Sequence, residues 1–205
     1  MISYDNELCL TNLFAGTATL RNTTVIRTKL AAFRPDGVEM AETARIEFDR
    51  TFDLQGERIY IKHALIEADE YISFLARTNL GQQYPKERFN ERIRVLVKSV
   101  QVSLIARNID DEVVGVCFGL TDFAYWLFLT DLGIDRRYER RGIGKLLVES
   151  AHELAGGEKE IVLFANVNDE AIPFYNKLGM KQCSDIFAKW NIEWTSFEVG
   201  KDTLP

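Results

Sequence analysis

The spacing of hydrophobic positions changes several times along the chain, and each change predicts an element. Ile46, Phe48, Phe52 and Leu54 share one parity over Arg45–Leu54; after Gln55-Gly56, Ile59 and Ile61 continue the alternation over Arg58–Ala64. Alternation on both sides of a glycine turn predicts a β-hairpin. From Glu67 to Ala76 the spacing lengthens, with Ala68, Tyr71, Ile72 and Leu75 at helical intervals. Lys86–Lys98 repeats that spacing through Phe89, Ile93, Leu96 and Val97, and Pro85 stands where a first helical turn tolerates it. Val100–Ala106, Val113–Leu120 and Phe123–Ile134 read as strands joined by the polar turns Asn108–Glu112 and Thr121-Asp122. Ile143–Leu154 has one apolar stripe and stops at Gly156-Gly157. Ile161–Val167 predicts a strand, Asp169–Leu178 a short helix ended by Gly179, and Met180–Val199 two final strands. In residues 1–44 the strong signal is the turn Pro35-Asp36-Gly37.

This order predicts an α/β fold of the α+β kind: a mixed, mostly antiparallel central sheet with helices on both faces. Short turns make the three middle strands antiparallel. The strand–helix–strand unit after them is a parallel crossover. The length, 205 residues, suits one domain with an added arm. Residues 1–57 form an N-terminal extension carrying one hairpin strand, and residues 58–205 form the main domain.

Charge and cysteine usage narrow the function. A net charge of −6 argues against nucleic-acid binding, which needs a broad basic surface, and leans toward a cationic small-molecule partner. Cys9, Cys117 and Cys183 are few and unpaired in spacing, which fits a reducing compartment, the cytoplasm. His63 and His152 lack ligand-like neighbours, so no metal is expected. MISYDNELCL is no signal peptide. Thr121-Asp122 interrupts the apolar run Val113–Leu129, which therefore reads as two buried strands and gives no membrane partner.

One stretch departs from the acidic average. Between Asp135 and Lys145 five basic residues (Arg136, Arg137, Arg140, Arg141, Lys145) stand against two acidic ones (Asp135, Glu139), a local sum of +3. Gly142 and Gly144 follow a predicted strand and open a predicted helix. A helix N-terminus has unpaired backbone N–H groups and favours an anion, and glycine lets a ligand come close to the backbone. A phosphate ester is the simplest anion. A Walker-type loop fails because Glu139 and Leu146 stand where it needs glycine and a hydroxyl. The dinucleotide loop fails because Leu147 replaces its third glycine.

The remaining candidate is the pyrophosphate loop of acyl-CoA-dependent transferases, (Gln/Arg)-x-x-Gly-x-(Gly/Ala). Ile134–Leu147 together with NVNDEAIPFYNKLGM at Asn166–Met180 resembles the GNAT superfamily of acetyl-CoA-dependent N-acetyltransferases. The resemblance covers roughly residues 58–200, making the main domain a GNAT-like acyl-CoA N-acyltransferase fold. It implies that backbone amides of Leu132 and Ile134 bond the pantetheine arm and the acetyl carbonyl. It further implies that the amides of Arg140, Arg141, Gly142, Ile143, Gly144 and Lys145 cradle the pyrophosphate, and that Asn168 bonds the arm. Tyr175 matches the tyrosine beside the sulfur and is the implied general acid. Many family members carry a glutamate base on the arm-binding strand; here Thr130 cannot serve and Asp131 could. Glu139 departs from the family's Gln or Arg and is expected to face solvent or pair with a neighbouring arginine.

The implied activity is transfer of an acetyl group from acetyl-CoA, as co-substrate and without metal, to a primary amine, most simply a small molecule, by direct attack in a ternary complex. Acetylation of a protein N-terminus or lysine, or a non-catalytic CoA-binding module, are the alternatives. The acceptor's identity and a homodimer as partner stay open. The Glu67–Lys98 helices and their Gly81–Pro85 loop are expected to cover the acceptor. Phe123, Tyr125, Trp126 and Phe128 are expected in the core, with Trp190 and Trp194 as core or pocket walls.

Overall fold

The structure, a computed structural model, describes residues 48–189 and Val199. A six-stranded sheet runs β1 (Asp49–Leu54), β2 (Glu57–His63), β3 (Val102–Arg107), β4 (Val113–Thr121), β5 (Trp126–Ile134) and β6 (Val162–Ala165), in that spatial order. Every neighbouring pair is antiparallel except β5–β6, which is parallel. Helices α1 (Ala68–Leu75) and α2 (Phe89–Ser99) connect β2 to β3; α3 (Ile143–Ala155) crosses from β5 to β6, and α4 (Ile172–Lys177) follows. The architecture is the mixed α/β one that the periodicity predicts.

The β1–β2 hairpin closes on Gln55 and Gly56, both with positive φ (56° and 83°), and Asp53 accepts the Gly56 N–H. Such a two-residue turn matches the twist of the flanking strands. Residues 45–47 of the predicted first strand lie outside the described residues, as does Cys9.

The sheet separates two apolar clusters. On one face Ile143, Leu147, Val148, Ala151 and Leu154 of α3 pack on Ile59, Leu104, Cys117 and Leu129. On the other, Tyr71, Phe74 and Leu75 of α1 and Phe89, Ile93 and Val97 of α2 pack on Ile105, Val116 and Phe118. Each fully buried large apolar side chain contributes about 1.5–3 kcal/mol.

Several boundaries shift from the sequence expectation, each for a local reason. Helix α2 begins at Phe89 rather than Lys86, because Arg88 takes a left-handed backbone (φ 56°) and breaks the first turn. Strand β5 begins at Trp126 because Asp122 Oδ1 accepts the amides of Ala124, Tyr125 and Trp126, holding those residues in a turn. Helix α4 starts at Ile172, with Pro173 in its first turn, where a missing N–H costs nothing. Residues 180–189 form no strand and are exposed throughout Lys181–Lys189, a polar stretch without alternation. Trp190 and Trp194 lie outside the described residues.

The aromatic cluster expected in the core is exposed. Phe123, Tyr125, Trp126 and Phe128 stand at the β4–β5 turn and the adjacent start of β5. Trp126 instead meets Phe164 of β6, ring centroids 5.6 Å apart.

The bend after α1 is tight. A Cβ added to Gly81 would stand 2.5 Å from the Leu75 carbonyl oxygen, a backbone atom that cannot turn aside. Gly81→Ala is expected to destabilise the fold by about 1–3 kcal/mol, the usual range for forced overpacking, read as a lowered midpoint in urea unfolding with an unchanged slope.

Candidate active site

The site grows from an irregularity in β5. Along β4, Phe118 faces Asp131 but the next residue, Gly119, faces Leu129, so Thr130 is an extra residue bulged out of register. The bulge exchanges the two faces of the strand. Leu127 and Leu129 pack in the α3 cluster; beyond the bulge it is Leu132 and Ile134 that pack there. Asp131 and Gly133 are thereby turned to the α1–α2 face, where a Cβ on Gly133 would meet Leu80 at 3.0 Å and Phe74 at 3.1 Å.

The same strand loses a neighbour at this point. β5 pairs with β4 along its whole length but with β6 only over Trp126–Leu129. From Thr130 to Ile134 its second edge faces no strand among the described residues. The Asp135 N–H bonds the Val114 carbonyl across β4. By the two-residue period of a strand, the N–H groups of Leu132 and Ile134 point the other way, to the open edge. Both residues are half-buried.

Asp131 is 7% exposed and accepts a hydrogen bond from the Tyr84 hydroxyl, which lies 2.9 Å from that of Tyr71. Burial raises the Asp131 carboxyl above its ordinary range, and the Tyr84 bond offsets part of that rise. Tyr175 of α4 is half-buried; burial, then the neighbouring Cys117, raises its phenol above the ordinary range. The Cys117 thiol is itself raised by burial and by Asp131. Asp131 thus acts on the buried thiol of β4, and that thiol acts on Tyr175.

The basic loop divides into framework and ligand-facing groups. Asp135, 1% exposed, accepts from Arg77 Nε (2.8 Å) and from Arg137 at N, Nε and Nη2 (3.0, 3.1 and 2.9 Å). Burial acts to raise its carboxyl, but these donors together lower it to about 2. Arg136 caps the end of α1, donating to the carbonyls of Ala76 and Thr78 and to Asn79 Oδ1. Arg141 donates to Glu57 (2.9 Å) and lies over the Tyr138 ring, 4.9 Å from its centroid. Tyr138 in turn donates to Glu57 and accepts from Asn108. Three of the five cations are thus committed to holding the loop, and the side chain of Arg141 is one of them.

Arg140 is exposed, has φ 62°, and makes no hydrogen bond or ion pair to another described residue. Lys145 lies 3.5 Å from Glu149 on the exposed side of α3. Gly142 caps α3 with φ 94°, and the first intrahelical bond from that cap comes from Leu146, so the amides of Ile143, Gly144 and Lys145 have no partner in the helix. Gly144 sits against Phe174, where a Cβ would touch the ring at 3.4 Å. Glu139 points outward and accepts from Asn79 rather than from an arginine. Asn168 Oδ1 accepts the Ala171 N–H at 3.0 Å, holding the turn before α4. Among the described residues the loop amides and those on the second edge of β5 beyond Leu129 are backbone donors without a helix or strand partner.

Sequence reasoning did not single out Tyr84, Tyr71, Asp135 or Arg77. Asp135 appeared there as an acid at the head of a basic run and Tyr71 as an apolar position of a helix; Tyr84, Tyr71 and Arg77 meet their acids from 47–60 residues away. Among the described residues no cluster of three His, Cys, Asp or Glu could hold a metal ion, and no helix is long and apolar enough to cross a membrane.

Residues 63–180 match the family model described as Acetyltransferase (GNAT) family. None of the curated proteins compared with the chain matches it. Solved structures share the fold. A Staphylococcus aureus protein of unknown function superposes with a TM-score of 0.54 at 12% identity, over 66% of this chain and 99% of its own. A GNAT family acetyltransferase from Streptococcus pneumoniae gives 0.50 at 21% identity, over 66% and 98%. An aminoglycoside N-acetyltransferase solved in complex with CoA gives 0.50 at 14% identity, over 67% and 98%.

The Asp135 cluster predicts a pH signature. Its folded value lies below the unfolded one, so its stabilisation is complete above about pH 4 and is lost as pH falls through about 2. Asp135→Asn is expected to cost about 2 kcal/mol at pH 7, the scale of hydrogen bonds to a charged group. The gap from wild type should narrow progressively between pH 4 and 2 in denaturant titrations.

Proposed function

The chain belongs to the GNAT acetyltransferase family, and from that premise we propose that it transfers an acetyl group from acetyl-CoA to a primary amine, a small molecule, by direct attack in a ternary complex. One observation carries the reading: the half of β5 whose second edge is unpaired among the described residues joins a buried carboxylate at the bulge to a helix N-terminus whose amides have no partner in the helix. The CoA bound to a solved neighbour of the same fold supports a CoA thioester as donor.

In this proposal the amides of Leu132 and Ile134 receive the amide groups of the pantetheine arm as an added strand would. The amides of Ile143, Gly144 and Lys145, with the Arg140 side chain, receive the pyrophosphate. Asn168 contributes from the turn before α4. The acceptor enters from the α1–α2 face, where Asp131 stands.

An alkylammonium with a pKa near 10 holds its proton at pH 7, and exposing the lone pair costs about 4 kcal/mol. Asp131 takes that proton, and burial makes its carboxylate a stronger base than an exposed aspartate. The amine nitrogen bonds the thioester carbonyl carbon while the Leu132 N–H stabilises the charge on the oxygen. The carbon–sulfur bond breaks, and Tyr175, kept protonated by its raised titration, gives its proton to the leaving thiolate.

Two substitutions test this. Tyr175→Phe is expected to lower turnover by about a hundredfold or more, the scale of a lost general acid, while calorimetry shows unchanged acetyl-CoA binding. Arg140→Ala is expected to weaken CoA binding by about 1 kcal/mol, roughly fivefold in Kd, and to leave binding of a pantetheine fragment without pyrophosphate unchanged. Undiminished turnover in the tyrosine variant would remove its acid role; equal losses for both ligands would place Arg140 elsewhere.

A further inference from the structure

Beneath the acceptor face lies a polar chain that the loop and thioester chemistry does not use. Asp131 Oδ1 accepts from Tyr84 Oη, and Tyr84 Oη is 2.9 Å from Tyr71 Oη. Because Tyr84 gives its proton to the carboxylate, Tyr71 must donate to Tyr84, so the chain is directed: Tyr71 to Tyr84 to Asp131. Its surroundings are apolar. Tyr71 is fully buried between Phe118 (ring centroids 5.0 Å) and Phe74 (6.2 Å), and Tyr84 packs edge-on to Phe89 at 5.8 Å. Leu75, Leu80, Ile93 and Val97 complete the cluster.

Packing alone would be served as well by phenylalanine at both positions. Two hydroxyls and a carboxylate placed in such a cluster are costly unless each satisfies another, and they converge at the one bulge of β5. Among the described residues no lysine or arginine pairs with Asp131. The carboxylate has about four lone-pair sites, of which Tyr84 takes one. What remains is a buried negative group with no cationic partner, fixed in direction by a phenol on the loop between α1 and α2.

We infer that Tyr84 is a positioning residue of the acceptor site: its hydroxyl, held from behind by Tyr71, fixes the Asp131 carboxylate so that a vacant lone pair receives the acceptor's ammonium group. The inference rests on the acetyltransferase reading above and narrows the acceptor to a cation at the moment of binding. The ammonium passes one proton to Asp131, the nitrogen forms its bond to the thioester carbon, the carbon–sulfur bond breaks, and CoA leaves with the Tyr175 proton. The acylated nitrogen gives up its second proton to the Tyr175 phenolate, and Asp131 loses its proton to water, a net release of one proton per turnover.

The test is the pH profile of kcat/KM for a reactive amine at saturating acetyl-CoA, in wild type, Tyr84→Phe and Tyr71→Phe. The titratable groups facing Asp131 are Tyr84 from the loop, Tyr71 from α1 and Cys117 from β4. The Tyr84 bond lowers the Asp131 pKa, so its removal must raise it. Tyr84→Phe keeps the ring contact with Phe89. It is expected to lower kcat/KM for the amine roughly tenfold and to move the acid limb to higher pH, with acetyl-CoA binding by calorimetry unchanged. Tyr71→Phe should move the limb the same way by less. An active wild type whose acid limb stays in place in both variants overturns the role of Tyr84 alone. A wild type that binds acetyl-CoA yet releases no thiol with any amine overturns the acetyltransferase reading itself, and this one with it.

Discussion

Strand β5 keeps one neighbour over its whole length and the other over less than half of it, and the rest of the site depends on that asymmetry. A β5 paired on both edges would offer no backbone donors, and a β5 without its bulge would turn the aspartate into the opposite cluster. The bulge at Thr130 and the end of the β6 pairing at Leu129 fall at the same place. The first turns a carboxylate to the α1–α2 face, and the second uncovers the amides of Leu132 and Ile134. Unpaired backbone groups inside a domain are rare, and among the described residues no strand covers this edge.

The helix on the α3 face closes the arrangement. Its first-turn amides lie beyond the strand's open end, and a network of ion pairs holds the connecting loop. Arg77 and Arg137 converge on Asp135, Arg136 ties the loop to the end of α1, and Arg141 ties it to Glu57 of β2. Charge that looks from sequence like a single anion site is mostly structural. Of the five cations Arg140 and Lys145 make no bond to the framework of the loop, and Lys145 pairs only with the exposed Glu149 of its own helix. In the proposed binding mode the backbone amides meet the pyrophosphate, and Glu139 does not oppose it because it faces outward to Asn79.

The two ionisable side chains assigned to the chemistry come from different layers. Asp131 belongs with α1 and α2, whereas Tyr175 comes from α4, whose Phe174 packs on the α3 cluster. Cys117 of β4, opposite Leu132, is the one group that feels the first and affects the second. In the proposed reaction donor and acceptor meet where β5 has no second neighbour among the described residues. The same burial that raises the carboxyl also raises the phenol, suiting the one to take a proton and the other to hold it until a thiolate forms.

Periodicity determined the order and kind of the elements through α4, because alternation and helical spacing are local properties and the hairpin and helix ends carry their own turn residues. The phosphate-loop pattern and its helix were equally local: Gly142 and Gly144 announce themselves within a few positions. Tertiary structure alone decided the direction of Asp131, since one extra residue in β5 reverses its face and no local pattern reveals where a register slips. It also decided that Tyr84 and Tyr71 meet that aspartate, that Arg141 serves Glu57, and that the aromatics near the β4–β5 turn are exposed. Those outcomes are set by contacts between residues dozens of positions apart, and side-chain type by itself carries no information about which distant partner the fold supplies.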